Sequence, residues 1–429
     1  MFRNESDEKD AAEAAMALLT RAHGIALRGV IIIGDCLTPV FARLGIMPLA
    51  STDASDANVL ALAVQRSVPA ALDAILRNNA SLEAVVVLTK LSAPLALLDR
   101  VLFDCGWLRL ADPPGAAAPQ YLLYLRSARI ADPHATGGRP RGTVMMSNLG
   151  HNAGFANQLF QYAFLKLYGL RNNAAIETPA WVGEDVYGIS PHHVARRRRM
   201  VKGDEWSVRD LALWESDNPP IDVDFWGYYQ NVPPTWRHHR AFLRRLFEPR
   251  PAWRVPVERW LARHRPPGKT LVAIHLRRGD YQRYDPAVKP WFRVIPEDWY
   301  LRWLGEIWPS LANPVLFVAT DDHETVLPRF AAYAPLTAHE AEEEMPEPRY
   351  LADFEIMAHA DLLAISNSSF SRMAALLAPA TQRCFIPAIE TASFVPYEPW
   401  ASDHFWQRFG APATRSRSLL PRWLRRLAP

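Results

Sequence analysis

The segment from Leu271 to Tyr281 reads Leu-Val-Ala-Ile-His-Leu-Arg-Arg-Gly-Asp-Tyr. Its first half is an unbroken apolar run, the pattern of a strand buried on both faces of a mainly parallel sheet. Its second half gathers His275, Arg277, Arg278, Gly279 and Asp280 where that strand must end. In open α/β sheets ligands bind beyond the carboxyl ends of the strands, so the transition puts two guanidinium groups at a binding crevice. Arg277 and Arg278 suit an anion there, because a guanidinium stays charged and grips phosphate through parallel hydrogen bonds of about 1.5–3 kcal/mol each. Gly279 lets the backbone turn or approach a ligand closely. The competing reading pairs both arginines with carboxylates at the sheet end. Two adjacent arginines after an apolar strand are costly to place without an anion, which favours the first reading.

The remaining chain supplies an α/β context for this strand. Residues 11–126 alternate short apolar runs (Val30 to Ile33, Leu82 to Leu88, Tyr121 to Leu125) with helical patterns at Leu60 to Leu76 and Leu95 to Phe103. They read as a small accessory domain, faintly similar to a reduced class I methyltransferase whose cofactor loop, Gly34-Asp35-Cys36-Leu37, lacks repeated glycines. Residues 127–142 are Pro- and Gly-rich, a linker by composition. Thereafter 143–265 and 266–405 read as two further α/β domains, with strands at Thr143 to Met146 and Pro314 to Thr320. Helical patterns cover Trp236 to Phe247, Pro251 to Pro266, Glu324 to Tyr333, Asp353 to His359 and Arg372 to Leu377. In the tail, 406–429, arginines alternate with leucines and Trp423, as in a short interfacial helix attracted to anionic lipid or a solvated basic end.

Charge and cysteine usage exclude some functions. A net charge of +3 over 429 residues, with no basic face interleaved with aromatics, points away from nucleic acid. The three cysteines, Cys36, Cys105 and Cys384, are too scattered for a disulfide framework or a zinc site. With a polar first ten residues and no apolar run of membrane-spanning length, the expected location is the cytosol, with peripheral contact at the inner membrane face through 415–429. Asp222 and Asp224 would share one strand face, but so short a pattern arises often by chance and no metal site is expected there. The basic run from His192 to Arg199 reads as a solvated loop.

Two polar turns resemble the end of the Leu271 strand. Gly154 to Phe164 is a small-residue turn opening a helix, where Asn157 and Gln158 either cap the helix or hydrogen-bond a sugar or phosphate. Asn367-Ser368-Ser369-Phe370-Ser371 follows a short strand and opens another helix; its hydroxyls either cap that helix or cradle a phosphate.

Taken in order, these segments resemble the α-1,2-fucosyltransferases of glycosyltransferase family 11 over residues 143–400. The family's first motif is similar to His275-x-Arg277-Arg278-Gly279-Asp280-Tyr281, and its Gly-x-Gly-Asn-Gln-Leu-Phe-Gln-Tyr-Ala segment to Gly154 through Ala163. Its Gly-Tyr-x-Gln element is similar to Gly227 through Gln230, its Ser-Asp-Asp strand end to Thr320-Asp321-Asp322, and its Asn-Ser-x-Phe-Ser turn to Asn367 through Ser371. Ala156 replaces the family's second glycine, and Arg372-Met373 replaces its Trp pair.

The resemblance implies a GT-B-type pair of Rossmann-like domains facing a cleft, preceded here by the additional small α/β domain. It implies GDP-fucose as donor, no cofactor or metal, and inverting transfer to a hydroxyl of an acceptor glycan, α-1,2 to galactose; the basic tail would suit a lipid-linked glycan at the inner membrane face. Arg277 would hold the pyrophosphate, with Arg278 making a second contact or orienting Asp280. Asp321, Asp353 and the turn of Asn367, Ser368, Ser369 and Ser371 would recognise guanine and ribose. His275, Asp280 and Asp353 stand as candidates for the general base. A non-catalytic GDP-sugar or glycan-binding module is the reading from a different class.

Overall fold

The computed structural model describes strands at 30–34, 59–63 and 84–88, residues 95–110 and 121–130, and residues 140–409 apart from short intervals such as 204–212 and 340–344. The Asp35 to Leu37 loop, His192 and His193, and the 415–429 tail lie outside the described residues.

Three sheets follow one another along the chain. The first is ordered β2-β1-β3-β5-β4, from β1 (Val30–Gly34), β2 (Val59–Ala63), β3 (Ala84–Leu88), β4 (Trp107–Arg109) and β5 (Tyr121–Arg126); β1 is parallel to β2 and β3, and β5 is antiparallel to its neighbours. The expected helix from Leu60 therefore begins as a strand, because a short apolar run such as Val-Leu-Ala-Leu-Ala fits either period. The second sheet, all parallel, is ordered β7-β6-β9-β8, from β6 (Thr143–Met145), β7 (Ala175–Glu177), β8 (Arg199–Lys202) and β9 (Val223–Trp226). The third is ordered β11-β10-β12-β13-β14, from β10 (Thr270–Leu276), β11 (Pro314–Thr320), β12 (Leu362–Ala364), β13 (Arg383–Ala388) and β14 (Ser393–Tyr397); only β14 is antiparallel. The second and third sheets and their helices form a GT-B-type pair of Rossmann-like domains around a cleft.

Helix α1 (Leu95–Asp104) belongs to the first unit, and α2 (Phe155–Asn172) occupies the middle of the molecule. Nearly every residue of α2 is buried, as expected of a helix walled on all sides. It packs on α1, on β6 and β7, and on α7 (Ser369–Leu377). It stops at Asn173, whose left-handed backbone (φ 50°) lets its N–H reach the carbonyls of Gly169 and Leu170. The first unit is fastened to this centre: Arg171 donates two 2.8 Å bonds to the carboxylate of Asp104 on α1 and a third to the Trp214 carbonyl. Burial holds the His239 imidazole neutral, pKa about 3, and its Nε2–H donates to the Phe103 carbonyl at 3.0 Å. The expected helix Trp236 to Phe247 is instead a 3₁₀ turn at Arg237–His239 followed by α3 (Arg240–Leu246), and α4 (Pro251–His264) comes after it. The expected helix Glu324 to Tyr333 is likewise mostly 3₁₀, with Pro328 in its first turn.

Strand β10 is the hinge of the design. Its neighbours β11 and β12 flank it in parallel register, and every residue after Thr270 is buried. Side-chain alternation sends Leu271 and Ala273 into the core shared with α2, and Val272, Ile274 and Leu276 into a second core that includes Tyr300 and Trp303 of α5 (Glu297–Ile307). Extending that alternation past the strand end directs position 277 towards the other domain and position 278 towards α5.

Candidate functional site

A cleft of about 660 Å³ opens at the carboxyl end of β10, between the second and third sheets. Its walls bring together residues that the sequence keeps far apart: Gly154 to Gln158, Tyr228 and Gln230, His275, Arg277, Asp280 and Tyr281, Thr320 and Asp321, Asp353, and Ser368 to Phe370.

Arg277 faces this space. Its guanidinium pairs with Asp280 Oδ1 at 2.6 Å and Asp321 Oδ2 at 2.8 Å, and 36% of the side chain stays exposed. Asp321 also accepts the Arg278 backbone N–H at 2.7 Å, so one carboxylate fixes both the strand end and the arginine. Gly279 makes this approach possible, since a Cβ there would collide with Asp321 Oδ2. Gly279→Ala is therefore expected to displace Asp321 and destabilise the protein by about 1–3 kcal/mol, which thermal melting of this variant checks.

Arg278 takes the opposite course. It is 2% exposed and donates from Nε and Nη2 to Glu297 Oε1 at 3.1 and 2.6 Å, at the first residue of α5. It does not line the cleft. The alternation that brings Arg277 to the cleft takes Arg278 away from it.

His275 lines the cleft from a buried position, with Nδ1 2.9 Å from Ser366 Oγ. Burial, reinforced by Arg277 and Arg278, lowers its pKa to about 3, so the ring is neutral at physiological pH. Asp353, on α6 (Tyr350–His359), has the opposite shift. Burial raises its carboxyl to about 7 despite a backbone hydrogen bond from Ala338, and its Oδ1 has no hydrogen-bond partner. Because the unfolded chain releases that proton near 3.8, the group erodes stability as pH rises from about 4 to 7 and has no further effect above.

The serine turn divides its labour. Ser368 caps α7, accepting from the Phe370 N–H at 3.2 Å, and α7 begins at Ser369 instead of the expected Arg372. Ser368 and Ser369 line the cleft, whereas Ser371 is fully buried and accepts from the Ser366 N–H. Asn367 is also buried: its amide donates to the carbonyls of Trp291 and Arg293 at 2.7 and 2.8 Å, and its carbonyl accepts the Tyr281 hydroxyl. It clamps the loop between β10 and α5 over the cleft.

On the facing wall, Asn157 and Gln158 sit in the first turn of α2, which has Gly154 as its N-cap and no side-chain cap bond. Asn157 Oδ1 accepts from Gln230 Nε2 at 2.6 Å, and Gln230 Oε1 accepts from Trp406 Nε1 at 2.9 Å. Ala156 needs no glycine, for it is helical and φ is not positive there. Arg372 is fully buried, 4.4 Å from the Phe405 ring and 5.6 Å from that of Phe160, so it joins the C-terminal segment to α2. The Asp222 and Asp224 carboxylates are engaged by Thr143 and Ser147 across the strand pair. Among the described residues no group of three or more His, Cys, Asp or Glu side chains is placed to hold a metal ion.

Sequence reasoning missed Tyr350, Phe292, Trp406 and Glu297. Tyr350 could have been found, because it lies three residues before Asp353 on one helix face. Trp406 and Phe292 reach the cleft through tertiary turns that leave no periodic signal.

No protein-family model and no curated protein matches this chain. Among solved structures, the chain is similar to NodZ α-1,6-fucosyltransferase soaked with GDP-fucose, with 14% identity over 60% of this chain and 99% of that one (TM-score 0.41). It is similar to a mutant of Arabidopsis thaliana FUT1 in complex with GDP, with 12% identity over 60% and 72% of the two chains (TM-score 0.39). POFUT1 in complex with GDP matches with 12% identity over 57% and 97% (TM-score 0.37).

Proposed function

We propose that the protein is a glycosyltransferase that moves fucose from GDP-fucose to a glycan hydroxyl, with inversion and without a metal, in α-1,2 linkage to galactose as the family resemblance implies. The observation that carries this reading is Arg277, a partly exposed guanidinium held by Asp280 and Asp321 in a cleft that also contains the first turn of α7 and Asp353, whose Oδ1 has no hydrogen-bond partner. As the bond to fucose breaks, negative charge builds on the departing diphosphate. Arg277 and the N–H groups around Ser368 and Ser369 neutralise it. Asp353 offers two acceptor oxygens that match the adjacent N1–H and N2–H donors of guanine and mismatch adenine, whose edge lacks them. The exposed Tyr350 ring, one turn away, gives the purine a face to stack on. His275 is a poor proton acceptor at pKa about 3 and serves as a neutral wall. With Asp353 committed to guanine and Asp280 paired with Arg277 on the diphosphate side, the acceptor hydroxyl gives up its proton late, in a loose transition state that asks little of a general base.

The test combines turnover with pH. GDP release from GDP-fucose in the presence of a galactoside and EDTA is the expected activity. GDP affinity should rise between about pH 6 and 8 as Asp353 ionises, and Asp353→Asn should weaken GDP by about 1.5–3 kcal/mol and flatten that rise. Strict dependence on a divalent ion would overturn the metal-free mechanism. Tight GDP binding without turnover on any glycan would leave a GDP-sugar-binding module.

A further inference from the structure

Both walls of the cleft continue outward as a pair of aromatic rings ending in a lysine. On the side of the second sheet, Tyr228 lines the cleft, Trp226 lies 6.5 Å from it, and Lys202 Nζ is 5.6 Å from the Trp226 ring centre. The register of β8 on β9 puts Lys202 opposite Trp226, at the carboxyl end of the sheet, where ligands of α/β folds bind. On the other side Phe292 lines the cleft, Tyr284 stacks on it at 4.6 Å, and Lys289 Nζ is 4.2 Å from the Tyr284 ring. This second platform is pre-positioned, because Phe292 lies between the two residues whose carbonyls Asn367 holds.

Asp285 is exposed in the loop that carries this second platform, its Oδ1 accepting the Ala287 N–H, and Asp222 and Asp224 grip β6 and its end. Neither Lys202 nor Lys289 has an ion-pair partner among the described residues. Aromatic faces suit the C–H faces of sugar rings, and an ammonium held over such a ring is restrained by the π-cloud while its outer side stays open to an anion.

We infer that the acceptor is an anionic glycan, one that carries a carboxylate or phosphate near the reacting sugar, with its rings between the two aromatic platforms and its charge met by Lys202 and Lys289. This rests on the GDP-sugar transferase reading of the same cleft but is tested apart from it. The probes are galactosyl-glucose and galactosyl-glucuronate, which share the terminal galactose and differ by one carboxylate. Each is titrated calorimetrically into the full chain with and without GDP, a measurement that needs no turnover.

The expected result is tighter binding of galactosyl-glucuronate than of galactosyl-glucose, with the preference shrinking as salt rises. Lys202→Ala and Lys289→Ala should each weaken the glucuronate by about fivefold and leave the neutral disaccharide as it was. Equal or undetectable binding of the two glycans overturns the inference. So does an equal loss for both glycans in the lysine variants, which would mean the lysines only stabilise the rings. Failure of GDP to bind in the same titrations would count against the donor reading alone.

Discussion

Arg277→Ala is expected to lower GDP-fucose turnover by about 10²–10³-fold while the protein remains folded, the size associated with removing one preorganised charge-stabilising donor. The substitution removes the cation and also leaves Asp280 and Asp321 facing the diphosphate without a counterion, so donor binding should fall along with the chemical step. Stability should barely change. A side chain 36% exposed in paired form contributes at most about 1 kcal/mol to folding, and its loss strands no buried group. Arg277→Lys should be intermediate, because an ammonium keeps the charge but cannot span both aspartates and still present a fork to phosphate. Rates of GDP release beside thermal melting curves test the contrast. A variant that turns over within tenfold of the unaltered protein, or one that fails to fold, would remove Arg277 from the role assigned to it.

How far the sequence reveals such a site depends on where the signal lies. The Leu271 strand, the Asn157 turn and the serine turn were each legible, because an apolar run that stops at a cluster of polar residues is a local pattern. Their convergence on one cleft follows from the carboxyl-end rule for α/β sheets. The resemblance ranks Arg277 first for the pyrophosphate, but the burial of Arg278 against α5 was not legible: Glu297 lies nineteen residues from Arg278, and nothing in the intervening loop marks it as a partner. Two strands with prolines were also hidden. Strands β13 and β14 carry Pro387 and Pro396, which normally argue against a strand, yet Pro387 lies past the residues of β13 that pair with β12, and β14 is the sheet edge, with room for a residue without an N–H. Asn367 illustrates a different limit. A polar residue in a binding turn reads as a ligand contact, but its amide is consumed by two backbone carbonyls 76 and 74 residues away in the chain.

Glu297→Ala is expected to cost about 3–5 kcal/mol of stability, the penalty for stranding a buried charge. Arg278 has 3% of its side chain exposed, and its remaining guanidinium bond is to the neighbouring Arg277 carbonyl. Losing Glu297 therefore leaves a desolvated cation under the end of β10. The strand end should loosen, taking the Asp321 contact to the Arg278 N–H with it, and GDP affinity should fall even though Glu297 is absent from the cleft walls. Replacing both partners by apolar groups of similar size, Arg278→Met with Glu297→Leu, removes the stranded charge and should restore most of the stability. That double variant decides what Arg278 does. If stability and GDP-fucose turnover return together, Arg278 is a structural anchor that positions Arg277. If stability returns and turnover stays low, Arg278 acts on the diphosphate itself, the second contact that the family resemblance offers as one of two roles.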